Sequence, residues 1–117
     1  MAEVNESPRA AAERELSEEL GLTVRIGRLL CVDRVPSHGP WDDQLAFGFD
    51  GGVLPPEQSD ALRPHDRELS SCSFFERTEA LELLPPRTRR RAAHALKGLS
   101  GAVELYAEHG QERGAVP

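Results

Sequence analysis

Three glutamates near the start of the chain could together hold a divalent cation. Glu15, Glu18 and Glu19 are spaced i, i+3, i+4 in the stretch ESPRAAAERELSEELGL, residues 6–22. On an α-helix this spacing places the three carboxylates within an arc of roughly 100°. Like charges so close destabilise a helix, and a shared Mg²⁺ or Mn²⁺ would offset that cost because both ions prefer oxygen ligands. The alternative is an ordinary solvated acidic face on which Arg14 pairs with Glu18.

The residues around these glutamates predict a helix with defined ends. Ser7 followed by Pro8 is typical of an N-cap and a first helical residue. Gly21 is typical of the left-handed residue that ends a helix. A buried stripe is predicted from the apolar residues that recur every four positions, namely Ala12, Leu16 and Leu20.

The same stretch resembles the Nudix box, the signature of the Nudix hydrolases. That signature is G-x5-E-x7-R-E-U-x-E-E-x-G-U, in which U is a bulky aliphatic residue. Eight of its nine specified positions are present at the right spacing: Glu6, Arg14, Glu15, Leu16, Glu18, Glu19, Gly21 and Leu22. The leading glycine would fall one residue before Met1. The resemblance therefore implies a Nudix domain that lacks this glycine and the strands that precede the box.

The resemblance also implies an activity. The chain would be a metal-dependent pyrophosphohydrolase that cleaves the diphosphate linkage of a nucleoside diphosphate linked to another moiety. Glu15, Glu18 and Glu19 would hold Mg²⁺ or Mn²⁺, or one of them would serve as the general base for the attacking water. Arg14 would orient these glutamates by ion pairing, and Glu6 would brace the loop before the helix.

Two other classes of function stay open at this point. One is a non-catalytic, truncated Nudix remnant or nucleotide-binding module that keeps the box without a working site. The other is a protein that uses its acidic helix for interaction and binds no metal. Substitution of Glu19 by glutamine separates an enzyme from a binding module, because only the enzyme would lose an activity.

The expected fold is an α+β fold, an α/β/α sandwich of the Nudix type with a mixed sheet and without its N-terminal strands. A single domain is expected over residues 1–110, followed by a frayed tail at 111–117. The box helix should pack on the sheet, with the later helices on its other side or edge.

Alternating and clustered apolar residues predict the remaining elements. Extended segments are predicted at 22–35, 44–50 and 69–76, the first two forming an antiparallel pair. Helices are predicted at 78–84 and 87–99, with a helical turn near 57–62, and residues 103–110 are assigned to a tail.

Several residues outside the box have weaker claims to a role. Glu68 could be an additional metal ligand or base, or a surface glutamate. Trp41 could stack on a substrate ring or anchor its loop by packing, and His38 in the same loop could contact substrate or be solvated. The basic run at 87–91, RTRRR, could bind phosphate or form a solvated helix face.

Composition narrows the class of protein. The 117 residues carry a formal net charge of −6, which argues against binding to nucleic acid or anionic membrane. Cys31 and Cys72 fit no metal-ligand spacing, and two free thiols are expected. No apolar run is long enough to span a membrane, so a cytoplasmic location is expected. A small nucleotide-like substrate is expected, and a sheet edge exposed by missing strands would favour a homodimer.

Overall fold

The residues that the structure describes form four helices and four strands. The computed structural model describes residues 1–65, 69–101 and 105–112. Within these ranges the elements are α1 (Pro8–Leu20), β1 (Leu29–Val35), β2 (Gln44–Phe49), α2 (Pro56–Asp60), α3 (Arg77–Glu82), α4 (Pro86–Ser100), β3 (Leu105–Glu108) and β4 (Gln111–Glu112).

The chain divides into two compact units. The first, here called the helical unit, comprises Met1–Gly27 and Gly51–Phe74, and so contains α1 and α2. The second, the sheet unit, comprises Arg28–Asp50 and Phe75–Pro117, and contains the four strands with α3 and α4. The packing of the box helix on the sheet stays a prediction.

Helix α1 has the ends that the sequence predicts. The Ser7 hydroxyl oxygen accepts a hydrogen bond from the Ala10 backbone N–H at 3.0 Å, and Pro8 occupies the first turn. Gly21 ends the helix with φ 67°, a left-handed conformation that glycine adopts without strain. The ring of His65 also lies against this glycine, so that a Cβ added there would be 2.6 Å from His65 Cε1.

Helix α1 is fastened to the segment that follows it. The Arg9 guanidinium donates to the carbonyls of Ile26 and Gly27. The Glu13 carboxylate accepts from the Ile26 backbone N–H at 3.1 Å. Arg9 and Glu13 are four residues apart and so project from the same side of the helix. The box glutamates take no part in these hydrogen bonds.

The predicted buried stripe of α1 is only partly correct. Ala11, which is not in the predicted set, is the buried apolar residue of the helix. Ala12, Leu16 and Leu20 are half-buried. Leu16 and Leu20 instead line open clefts of the helical unit.

The sheet has the strand order β2-β1-β3-β4. β1 pairs antiparallel with β2, in register from Cys31↔Gly48 to Val35↔Gln44, as the sequence predicts. β1 also pairs parallel with β3, and β3 pairs antiparallel with β4. The sheet is therefore mixed, which agrees with the expected α+β, Nudix-type fold.

Helix α4 lies against one face of this sheet at very short range. A Cβ added to Gly98 would be 2.8 Å from the Leu30 carbonyl oxygen, so a glycine is required at this contact. The adjoining core contains Leu30, Val35 and Ala107, all nearly or fully buried. Burial raises the pKa of the Cys31 thiol, which belongs to the same core.

A buried carboxylate ties three elements of the sheet unit together. Asp33 on β1 is 0% exposed. Its Oδ2 accepts from Arg91 Nε of α4 at 2.8 Å, and its Oδ1 accepts from the Gly110 backbone N–H at 2.9 Å. Both carboxylate oxygens therefore have a partner, as burial of a charged group requires.

The predicted strand at 69–76 is wrong. The structure places no strand in this segment, and Phe74 and Phe75 are 69% and 51% exposed. A strand needs a neighbouring strand to satisfy its backbone, and among the described residues this segment has none. The tail predicted at 103–110 is also wrong in part, because it contains β3, and residues 111–112 of the expected frayed end form β4. Residues 113–117 lie outside the described ranges.

Candidate functional site

Arg14 forms several of the ion pairs and hydrogen bonds on α1. Its Nε and Nη2 donate to the two carboxylate oxygens of Glu6 at 2.8 and 3.0 Å, a bidentate pair. Its Nη1 donates to Glu18 Oε2 at 3.0 Å, and its Nη2 lies 3.7 Å from Glu15 Oε1. One guanidinium thus contacts the loop before the helix and two of the three box glutamates.

Glu6 braces the loop that enters α1. Its Oε1 accepts from the Glu3 backbone N–H at 2.9 Å, while its own N–H donates to the Glu3 carbonyl at 3.0 Å. The side chains of Glu6 and Arg14 are 16% and 26% exposed, so their pair is partly sheltered from solvent. The turn at residues 3–6 is therefore bonded to the middle of the helix through Arg14.

The three box glutamates have different surroundings. Glu15 pairs with the N-terminal ammonium of Met1 in addition to its contact with Arg14. Glu18 pairs with Arg14, and its side chain is 60% exposed. Glu19 is half-buried, and its carboxylate has no ion pair among the described residues, although its backbone carbonyl accepts from the His65 N–H at 2.7 Å.

The three carboxylates are suitable ligands for a divalent cation, but they are not gathered around one point in this structure. Carboxylate oxygens are the ligands that Mg²⁺ and Mn²⁺ prefer. Within residues 1–65, 69–101 and 105–112, however, no three His, Cys, Asp or Glu side chains are gathered closely enough to hold a metal ion. Arg14 pairs with Glu18 as the solvated-face alternative expects. A cation would therefore have to draw Glu15 and Glu18 out of their present ion pairs.

Glu6→Gln is expected to reduce the loss of stability in acid. The hydrogen bonds from Arg14, and next the Glu3 N–H, lower the pKa of Glu6. A carboxyl group with a lowered folded-state pKa stabilises the protein above its unfolded pKa, and this contribution is lost as the pH falls through the folded-state value. Thermal unfolding followed by circular dichroism should therefore show a steeper fall in midpoint below about pH 4.3 for the wild type than for Glu6→Gln. Equal acid sensitivity would contradict the assigned pair.

Leu16 of α1 and loop residues of the helical unit line an open cleft of about 680 Å³. Six apolar side chains line it: Leu16, Leu22, Val24, Val53, Leu54 and Phe74. The volume of this cleft is within the range found for small-molecule binding sites. Leu16 belongs to the stripe predicted to be buried, and the cleft is not predicted from the sequence, although the apolar character of its lining was the available signal.

His38 and Trp41, the two residues predicted to contact substrate, belong to the sheet unit. His38 and Trp41 pair through both of their backbone N–H and C=O groups, which closes the loop between β1 and β2. Trp41 is 54% exposed, and His38 Nδ1 lies 3.0 Å from the Pro36 carbonyl oxygen. Their roles in substrate binding stay predictions. Glu68, the additional candidate ligand, lies outside the described residues.

The arginines of the run at 87–91 have structural partners. Arg89 donates to the carbonyls of Glu82 and Leu84 at the end of α3. Arg90 donates to the His109 carbonyl, and Arg91 pairs with buried Asp33. These three side chains are not purely solvated, since each connects α4 to a neighbouring segment. Phosphate binding by the run stays a prediction. Both cysteines are free thiols, as expected.

Comparison with known proteins identifies the family. The family described as the NUDIX domain matches residues 1–98, most of the chain. No curated protein and no solved structure matches at the significance required. Among the residues described, no helix is both long and apolar enough to cross a bilayer. Nudix enzymes are hydrolases that act on small molecules and generally use divalent metals. With the box residues on a capped helix and the domain matched over this length, the chain belongs to the Nudix family.

Proposed function

We propose that the protein is a metal-dependent hydrolase that cleaves the diphosphate linkage of a nucleoside diphosphate linked to another moiety. The observation that carries this proposal is the box helix itself, in which Glu15, Glu18 and Glu19 stand on a helix fixed at both ends. Its cofactor would be Mg²⁺ or Mn²⁺, held by carboxylate oxygens of these three residues. When bound, such a cation neutralises diphosphate charge and lowers the pKa of a coordinated water.

The chain's own residues contribute position and charge. Arg14, fixed by its bidentate bond to Glu6, would hold the side chain of Glu18 next to Glu15 until a cation replaces it. Glu19, which has no competing ion pair among the described residues, would be the first carboxylate available to a cation or the base that takes a proton from water. The fastening of α1 by Arg9 and Glu13 would keep the helix from shifting when these pairs exchange.

The second candidate function is a nucleotide-binding module without catalysis. The specific observation in its favour is that the described residues gather no group of three metal ligands. In such a protein the Arg14 network would be the permanent state of the helix and would neutralise its acidic face. Binding would then persist without release of product.

A hydrolysis assay separates the two functions. The protein would be incubated with a panel of nucleoside diphosphates linked to sugars, to alkyl groups and to second nucleosides, with Mg²⁺, with Mn²⁺ and with a chelator. We expect release of a nucleoside monophosphate from at least one compound, and only in the presence of metal. Binding of a panel member without turnover under any metal condition would favour the non-catalytic module.

A further inference from the structure

Strand β2 forms an edge of the described sheet and exposes large apolar side chains. The order β2-β1-β3-β4 leaves one side of β2 without a neighbouring strand among the residues that the structure describes. Leu45 is 58% exposed and Phe47 is 39% exposed. An apolar edge strand offers its outward N–H and C=O groups to a strand from another molecule. Pairing at this edge would therefore combine ladder hydrogen bonds with apolar burial.

The strand lacks the features that normally protect such an edge. Gln44–Phe49, QLAFGF, contains no charged residue and no proline, whereas natural edge strands commonly carry lysine, proline or a bulge. The irregularity in the pairing of β1 with β2 lies between Leu29 and Cys31 of β1. Residues 44–48 consequently follow an unbroken register and stay regular enough to template another strand.

The apolar residues of β2 occupy the face of the sheet opposite α4. Gly48 faces α4, because a Cβ added there would lie 3.7 Å from the Ala95 Cβ. Phe47 and Phe49 are on the other face, where their rings stack with centroids 6.4 Å apart. Val32 of β1 pairs with both Phe47 and Tyr106, so the same face continues across the sheet.

Two copies of β2 are complementary when they pair antiparallel about a two-fold axis through Phe47. In that register Leu45 lies opposite Phe49 of the second copy, and Phe47 lies opposite its own counterpart. Since residues 45, 47 and 49 share one face, the three apolar side chains of each copy form one continuous patch. A shift of one residue would place apolar positions opposite positions that face α4.

The charges at the ends of the strand agree with this register. Asp43, which lies 3.5 Å from Arg34, would face Gly51 of the second copy. Asp50 would face Gln44, whose amide can donate to a carboxylate. No carboxylate is therefore set against another carboxylate across the two-fold axis. A strand of a different protein would have to match this uncharged, alternating pattern, whereas a second copy carries it by identity.

We propose that the protein forms a two-fold dimer by antiparallel pairing of two β2 strands centred on Phe47, so that one sheet runs through both copies. Such an isologous interface closes on itself and does not propagate into fibres. It concerns the sheet unit and is independent of the proposed hydrolysis at α1.

The first test measures mass and uses charge substitutions. Sedimentation velocity over a wide concentration range should give twice the chain mass of 12.9 kDa at high concentration. Phe47→Lys and Leu45→Glu should each shift the protein to monomer, since both place a charge in the patch that the pairing buries. Leu83→Lys, at a residue that is 65% exposed at the end of α3, is the matched control and should leave the dimer intact. Circular dichroism would establish that each variant is folded.

The second test measures the register through disulfide formation in a Cys72→Ser background. At the proposed centre, Phe47→Cys sets two thiols directly opposite each other, with Cα atoms about 4.5–5.5 Å apart, within the reach of a disulfide. Leu45→Cys sets them about 13 Å apart along the strands, beyond that reach. We expect an oxidised dimer from Phe47→Cys only. A monomer at all concentrations, a dimer that survives Phe47→Lys, or equal cross-linking of the two cysteine variants would overturn the proposal.

Discussion

Glu19→Gln is expected to lower kcat for the hydrolysed compound by about 100-fold, in the range that loss of a metal ligand or a general base costs an enzyme. The substitution removes one negative charge and keeps the size of the side chain. It is more informative than the same change at Glu18, which would also break the 3.0 Å pair with Arg14. Because the Glu19 carboxylate has no ion pair among the described residues, the loss of activity should come without loss of folding.

The measurement is a steady-state assay at saturating metal, accompanied by thermal unfolding of the same samples. Glu82→Gln is the matched control, since Glu82 is an exposed glutamate at the end of α3. The control should keep both wild-type kcat and the wild-type midpoint. Unchanged kcat in Glu19→Gln would contradict the assignment of this residue to the site.

Asp33→Ala is expected to lower the free energy of unfolding by about 3 kcal/mol. The carboxylate is fully buried, so its removal leaves Arg91 and the Gly110 N–H without their acceptor inside the protein. Arg91 is 24% exposed and regains some hydration, which keeps the expected cost at the lower end for a broken buried pair. Asp33→Asn should cost less, because an amide oxygen can still accept one of the two bonds.

Denaturant unfolding followed by far-ultraviolet circular dichroism would measure these changes. Asp43→Ala is the control, since Asp43 pairs with Arg34 at 3.5 Å while both side chains are well exposed. Exposed pairs contribute about 0–1 kcal/mol, so this variant should differ little from the wild type. A similar loss in Asp33→Ala and Asp43→Ala would show that the buried carboxylate does not stabilise the contact of α4 with β1.

The elements that the sequence predicts well are those fixed by local signals. Ser7, Pro8 and Gly21 determine where α1 begins and ends, and each acts within one helical turn. The alternation of β2 is equally local, and its antiparallel pairing with β1 follows from proximity in the chain. The positions of Glu15, Glu18 and Glu19 on one helix could therefore be inferred from the chain itself.

The elements that the sequence predicts poorly depend on distant partners. Residues 105–108 form a strand because β1 lies beside them, and a parallel partner far back in the chain leaves no local mark. The segment at 69–76 has an aromatic run typical of a strand but no neighbouring strand among the described residues. Likewise, nothing in the run RTRRR indicates that its last arginine bonds a buried aspartate.

In the candidate site, too, features that depend on local spacing could be predicted, and features that depend on distant residues could not. The identity and helical spacing of the glutamates could be predicted, and so could the i, i+4 pair of Arg14 with Glu18. The bidentate bond of Arg14 to Glu6 depends on the path of the loop at residues 1–7, and the cleft of the helical unit depends on which apolar residues the core leaves uncovered. These features arise from tertiary packing, which spacing in the chain does not encode.

Binding of a divalent cation by the box glutamates can be measured without a substrate, by a titration of Mn²⁺. Electron paramagnetic resonance measures the free ion, whose signal falls as the protein binds it. We expect the wild type to bind Mn²⁺ and Mg²⁺ to compete for the same site. The double substitution Glu15→Gln, Glu18→Gln should abolish this binding, while Glu82→Gln should leave it unchanged. A wild-type protein that binds no Mn²⁺, or a double variant that binds it equally well, would show that these glutamates do not form the metal site.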